Sequence, residues 1–149
     1  MAAYGTQAFL ASLSTTLDVG SIIAAAASPR RFQLYDYTIG SETNGDTMLT
    51  WIIAKRTGAA TGGTAPAITA LDSSDTIAST IVANQAPTTN GAGSGTVHRR
   101  PLYERATYRW VATPGRELVA PATASNGWGC GTPTSTAIAG SISFEFNEL

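Results

Sequence analysis

The sequence predicts an all-β protein: a single antiparallel β-sandwich or jelly-roll-like domain with one short helix and an extended N-terminal arm. Three observations predict it. The stretch Glu104 to Ala122 opens with two-residue alternation, Ala106, Tyr108, Trp110 and Ala112 against Arg105, Thr107, Arg109 and Val111. That is the period of a half-buried strand, whose successive side chains leave opposite faces of the pleat. The last stretch repeats the pattern, with Ile138, Gly140, Ile142, Phe144 and Phe146 on one face and Ser141, Ser143, Glu145 and Asn147 on the other. Finally, about seven or eight such runs are separated by turn signals rather than by helices, which favours sheet packed on sheet over a parallel α/β layer.

The elements follow in chain order. Residues 3–18 alternate loosely, Tyr4, Thr6, Ala8 and Leu10 against Gly5, Gln7, Phe9 and Ala11, and read as a first strand or as an arm packed on a neighbour. Asp18 to Ala27 suits a short strand or a helical turn equally, because its alanines favour helix and Gly20 opposes it. Arg31 to Ile39 is a strand with apolar bulk on both faces: Phe32 and Leu34 on one, Tyr35, Tyr37 and Ile39 on the other. Asn44-Gly45 supplies the positive φ of a tight hairpin, so Thr47 to Arg56 reads as the return strand, with Leu49, Trp51 and Ile53 sharing a face. Two Gly/Thr-rich loops are expected at 57–68 and 84–96. Between them Asp72 or Ser73 can cap a short helix over Ser74 to Thr80, with Asp75 in its first turn. Val97 to Tyr103 leads into the alternating stretch, with Pro101 unsuited to a central ladder position. Pro114-Gly115 marks a tight turn before a second short strand, Glu117 to Ala120.

The 149 residues suffice for one domain, divided here into an arm or first strand at 1–28 and a sandwich at 29–149. Net charge is −1, so no electrostatic case exists for nucleic-acid binding. Charged residues make up 13%, against an average near 25%, and small neutral residues take their place. A skin of that kind is readily desolvated against neighbours. No apolar run approaches the roughly 20 residues of a bilayer-spanning helix, so no membrane partner is expected. The N-terminal stretch lacks the basic segment of a secretory signal, and synthesis and assembly in the cytoplasm are expected.

Catalytic patterns are missing. The chain has one cysteine, Cys130, in a glycine-rich run where it reads as a small packed residue, and one histidine, His98, which has no second imidazole to build a metal site with. No enzyme activity, cofactor or metal is expected. Asp36, inside a strand, faces solvent, pairs with an arginine or lies at an interface. Tyr108, Trp110, Trp51 and Phe144 read as core.

The basic residues are the unusual feature, since Lys55 is the single lysine among nine. Arginine pairs bidentately with carboxylates and is enriched at protein interfaces. Arg30, Arg31, Arg99, Arg100, Arg105 and Arg109 are therefore candidate interface residues. Trp128, read as a loop residue, joins them as a candidate platform for a glycan.

Several segments resemble small virion proteins of tailed bacteriophages. Arg31 to Ser41 is similar to a strand that opens such proteins and leads into a strand like Met48 to Arg56. Ala70 to Asp75 is similar to a helix start that follows a Gly/Thr loop. The most specific match is Glu-Arg-Ala-Thr-x-Arg-Trp-Val-Ala-x-Pro-Gly-x-Glu-Leu-Val, Glu104 to Val119, followed by Pro121 to Gly131 and a closing Phe144-Glu145. The resemblance covers roughly residues 30–146. It implies a structural virion protein, best fitted by a capsid decoration (cement) protein: β-rich, homotrimeric, bound to the major capsid protein on the outer head surface. A tail or head–tail connector component is the alternative it leaves, and a glycan-binding sandwich is the alternative left by Trp128.

Overall fold

The computed structural model describes residues 2–13, 17–41, 45–75, 79–93, 95–133 and 138–149. These residues form eleven strands: β1 Ala2–Leu10, β2 Asp18–Ala24, β3 Phe32–Ser41, β4 Met48–Arg56, β5 Ile68–Ala70, β6 Ile81–Gln85, β7 Thr96–Tyr103, β8 Thr107–Val111, β9 Leu118–Ala120, β10 Gly127–Gly131 and β11 Gly140–Glu148. They make two antiparallel sheets, one ordered β5-β1-β11-β3-β8 with β9 also on β3, the other β6-β2-β10-β4-β7. The two pack face to face as a β-sandwich.

The strand order has a simple rule. β1 pairs with β11, β2 with β10, β3 with β8 and β9, and β4 with β7, as if the chain were folded in half and the doubled ribbon rolled up. The pairs β11–β3 and β10–β4 then close the roll. This is jelly-roll-like pairing. β5 and β6 come from the fold-back point and extend the two sheets beyond β1 and β2.

Alternation predicts most of the strands but not their pairing. The hairpin expected at Asn44-Gly45 is absent: β3 and β4 belong to different sheets. Their apolar faces point into the same core from opposite sides, which alternation cannot distinguish from two neighbours in one sheet. Asn44 itself, with 42–43, lies outside the described residues. Residues 2–10 are not a free arm, because β1 is paired along its whole length with β11 and also with β5. The expected helix over Ser74 to Thr80 is not seen. The Asp72 carboxylate accepts hydrogen bonds from the Ser74 N–H at 2.9 Å and the Ser74 hydroxyl at 2.7 Å, but this closes a turn, and no helix occurs among the described residues; 76–78 lie outside them. Thr80 instead leads into β6, its N–H donating to Glu148 at 2.7 Å.

The two apolar faces of β3 have a local cause. The pairing with β11 skips Tyr35, a β-bulge that reverses which parity faces inward. Phe32 and Leu34 before it, and Tyr37 and Ile39 after it, all enter one core. Phe144 and Phe146 of β11, Trp51 of β4 and Ile22 of β2 fill the space between the sheets.

β2 and β10 are buried on both faces. On the outer side of β10 lies an ion pair. Arg56 donates from Nε to Asp18 Oδ2 at 2.8 Å and from Nη2 to Oδ1 at 2.5 Å, and both side chains are nearly inaccessible. Gly129 makes room for it: a Cβ there would lie 2.2 Å from Asp18 Oδ2 and 2.7 Å from Arg56 Nε. The long loops cover this side. Thr61 bridges to Thr89, the Thr57 N–H donates to the Ala92 carbonyl at 2.7 Å, and the Asp18 N–H donates to Asn90 Oδ1 at 2.6 Å. Burial holds the Asp18 carboxyl above its usual pKa, against the pull of the Arg56 bond and charge.

Candidate interaction surface

β7 and β8 form one border of the sandwich, each the last strand of its sheet and joined by the turn at Glu104-Arg105. Alternation sends His98, Arg100 and Leu102 inward from β7 and Tyr108 and Trp110 inward from β8. These side chains close the gap between the sheets. The Tyr37 hydroxyl bonds His98 Nδ1 at 2.9 Å. Trp110 stacks on Tyr37 with ring centres 5.2 Å apart, and His98 meets Trp110 edge-on at 4.8 Å. Arg100 donates from Nε to the Tyr108 hydroxyl at 3.0 Å, its guanidinium 5.3 Å from the centre of that ring. Burial, and then the Arg100 charge, hold the His98 imidazole below its ordinary pKa, so it is neutral at pH 7.

The remaining side chains of this border point outward. On β4 and β7, Met48 sits opposite Tyr103, Thr50 opposite Pro101 and Ile52 opposite Arg99. Met48 and Tyr103 are 59% and 62% exposed, and Val97 is exposed nearby. Single exposed apolar side chains are ordinary; a contiguous strip beside arginines is the composition of an interface.

Of the sequence-predicted residues, Arg99, Arg100, Arg105 and Arg109 come together on this border. Arg99 is exposed on the outer face of β7, while Arg100 is half-buried between the sheets. Arg105 lies in the turn rather than on a strand, 3.5 Å from Asp46, with both side chains largely exposed; such pairs contribute little. Arg109 reaches across the outer face of β8 to Asp36, with Nε 2.9 Å from Oδ2 and Nη2 closing the fork. The arginine-paired reading of Asp36 is thus the one that holds. Arg30 and Arg31 precede β3, at the end of that strand remote from the Thr107 partner of Gly40, and do not join the group.

Trp128 is not a loop residue. It occupies the middle of β10, 7% exposed, with its indole N–H donating to the Leu118 carbonyl at 3.1 Å, and it offers no free face for stacking on a sugar. The Gly127–Gly131 run reads as a loop because its glycines carry no apolar pattern; the alternating Trp128 and Cys130 were the available strand signal.

Pro101 protects the border. The Glu104 N–H donates to the Thr47 carbonyl at 3.1 Å, which makes this a hydrogen-bonded pair of the ladder. Counting back in twos, residues 102, 100 and 98 also bond toward β4, so residues 103, 101 and 99 aim their backbone groups at solvent. A proline at 101 removes the central donor of that free edge, and Arg100 adds an inward-pointing charge, both devices that discourage edge-to-edge pairing. Pro101→Thr is therefore expected to form larger species than the wild-type protein at equal concentration, read by light scattering after size-exclusion chromatography. An unchanged size distribution would mean that proline is not what guards this edge.

Among the described residues no group of three or more His, Cys, Asp or Glu side chains is placed to hold a metal, and no helix is long and apolar enough to cross a membrane. Comparison with protein-family models, with curated proteins and with solved structures returns no match.

Proposed function

We propose that this chain is a structural protein of a tailed-bacteriophage virion, acting as a decoration protein that binds the outer surface of the head. In this reading it acts by adhesion, as a homotrimer bridging copies of the major capsid protein, and carries out no reaction. The observation that carries the reading is the exposed strip of Met48, Tyr103, Pro101 and Val97 with Arg99 beside it, on a sandwich whose core is otherwise closed. The resemblance of Glu104 to Val119 to phage virion proteins supports it, since that segment builds the same border. Jelly-roll-like pairing is compatible, because viral capsid domains use it, but lectins and cupins do too. The mechanism is area: a contact burying above about 1,000 Å² across several shell subunits must be broken before the shell can part.

The test is co-sedimentation with heads of the encoding phage that lack this chain. The wild-type protein is expected to bind at stoichiometric occupancy. Met48→Glu with Tyr103→Glu places two carboxylates on the strip without touching the core, and is expected to weaken binding by about tenfold or more, near 1.4 kcal/mol. No binding by the folded wild-type protein would reject the head assignment, and rings of six or twelve on a virion image would move it to the tail or connector.

A further inference from the structure

We infer that copies of this chain join head to tail, the arginine-bearing border of one copy seating in a shallow groove over Gly5 on the next. This rests on the adhesive reading above and names its self-contact. The groove lies on the outer face of the β5-β1-β11 sheet. Gly5 sits in the middle of β1, directly between Thr69 of β5 and Glu145 of β11. Where neighbouring positions carry side chains, Gly5 leaves an open hollow of about 510 Å³ lined by Gln7, Thr69, Leu71, Ser143 and Glu145. A Cβ at position 5 would come within 3.2 Å of Leu71 Cδ2.

The chemistry of the lining selects its occupant. It offers a carboxylate, an amide, hydroxyls and an apolar wall, and no cation, so it disfavours anions. Glu145 lies close enough to Tyr35 for its charge to help hold the Tyr35 phenol above its ordinary pKa, after burial. It stands opposite Asp36 in the ladder; Arg109 forms its ion pair with Asp36 and feels the Glu145 charge from farther off, and none of the ion pairs among the described residues includes Glu145. A carboxylate in a shallow, open hollow suits a guanidinium, which meets it with two parallel N–H donors. Leu71, 51% exposed, and Phe9, 40% exposed, add apolar surface on the same side.

The matching features are on the opposite border. Arg99 and Arg105 are exposed there, beside Met48, Tyr103 and Val97. The strand orders put β5 and β1 at one side of the sandwich and β7 and β8 at the other, so one copy cannot satisfy both surfaces by itself. Two different patches meeting make a heterologous contact, which forms a ring when the rotation closes. A second copy of this chain therefore supplies both the guanidinium and the apolar strip that the groove accommodates.

Charge reversal tests this on the full chain, with molar mass measured by light scattering across a concentration series. Wild-type protein is expected to be a closed oligomer. Glu145→Lys, and separately Arg99→Glu with Arg105→Glu, are each expected to raise the concentration of half-dissociation by about tenfold or more. The protein carrying all three changes is expected to recover the oligomer, because the attraction is restored with reversed sign. All three sites are at least partly exposed, and unchanged thermal melting of each variant confirms that it is folded. Single-surface variants that keep the wild-type mass, or a combined variant that stays as dissociated as its parents, would overturn the inference. A wild-type monomer that still binds heads overturns this contact and leaves the decoration role standing; a wild-type monomer that binds no heads removes both.

Discussion

Replacing Arg56 with methionine is expected to cost about 3–5 kcal/mol of stability at neutral pH, the range for stripping one partner from a buried ion pair. The loss is not that of an attractive contact. It is the cost of leaving the Asp18 carboxylate, 1% exposed, under the loop at 86–93 with no counter-charge. Asp18→Asn combined with Arg56→Met should recover most of it, because a neutral amide beside a thioether carries no such desolvation cost. The pH dependence has a definite sign. Asp18 already has a folded-state pKa raised above its unfolded value, mainly by burial, and removal of Arg56 takes away the groups that lower it. A carboxyl raised in the folded state favours folding below its unfolded pKa and loses that contribution as pH rises through the folded value. The deficit of Arg56→Met should therefore shrink on acidification toward pH 4 and widen toward pH 7. Urea denaturation at several pH values measures it, and a deficit independent of pH would mean that Asp18 is not carrying the charge.

Trp51→Ala is expected to cost about 3–5 kcal/mol, as for other large aromatic truncations in a packed core. Trp51 is 2% exposed on the inner face of β4 and lies beneath Gly140 of β11. A Cβ at Gly140 would stand 2.7 Å from Trp51 Cη2 and 2.8 Å from Leu13 Cδ2, so Gly140→Ala alone is expected to lose about 1–3 kcal/mol through overpacking. The two changes should not add. With the indole removed, the extra methyl at 140 enters vacated space, and the double variant should be more stable than the sum of the single losses predicts by about 1 kcal/mol or more. Additive losses would show that Leu13, not the indole, sets the limit at Gly140.

Much of the strand content was legible in the sequence because alternation is a local property. β11, β8 and β4 present the faces that their periodicity predicts, Ile138 to Phe146 inward and Ser141 to Asn147 outward among them. Pairing is not local. Asn44-Gly45 carries the strongest hairpin signal in the chain, yet Leu49, Trp51 and Ile53 face Phe32 and Tyr37 across the core rather than beside them. The bulge at Tyr35 was invisible because it is defined by the partner strand, and it turned one buried face into two apparent ones. Asp18 and Arg56 gave a weaker hint, a charge at the end of each of two apolar strands, and nothing in the sequence joined them. The arginine border could be read where its members are contiguous, from Arg99 to Arg109, since a tight turn joins β7 at the end of one sheet directly to β8 at the end of the other. Met48, which completes the strip from another strand, could not, and Arg30 and Arg31 were grouped with it only by residue type.

Among the described residues, no two consecutive strands pair with each other as a hairpin. β1, at residues 2–10, has β11, at residues 140–148, as its main partner, so the whole span between them must be synthesised before β1 can dock. Loop closure over such separations is slow, because the chain entropy is lost before the contacts that offset it are made. The sandwich therefore cannot close until β11 has emerged from the ribosome. Until then its apolar strands stay exposed to chaperones and to one another, and its yield in a cell should depend on temperature and expression rate more steeply than its final stability would suggest.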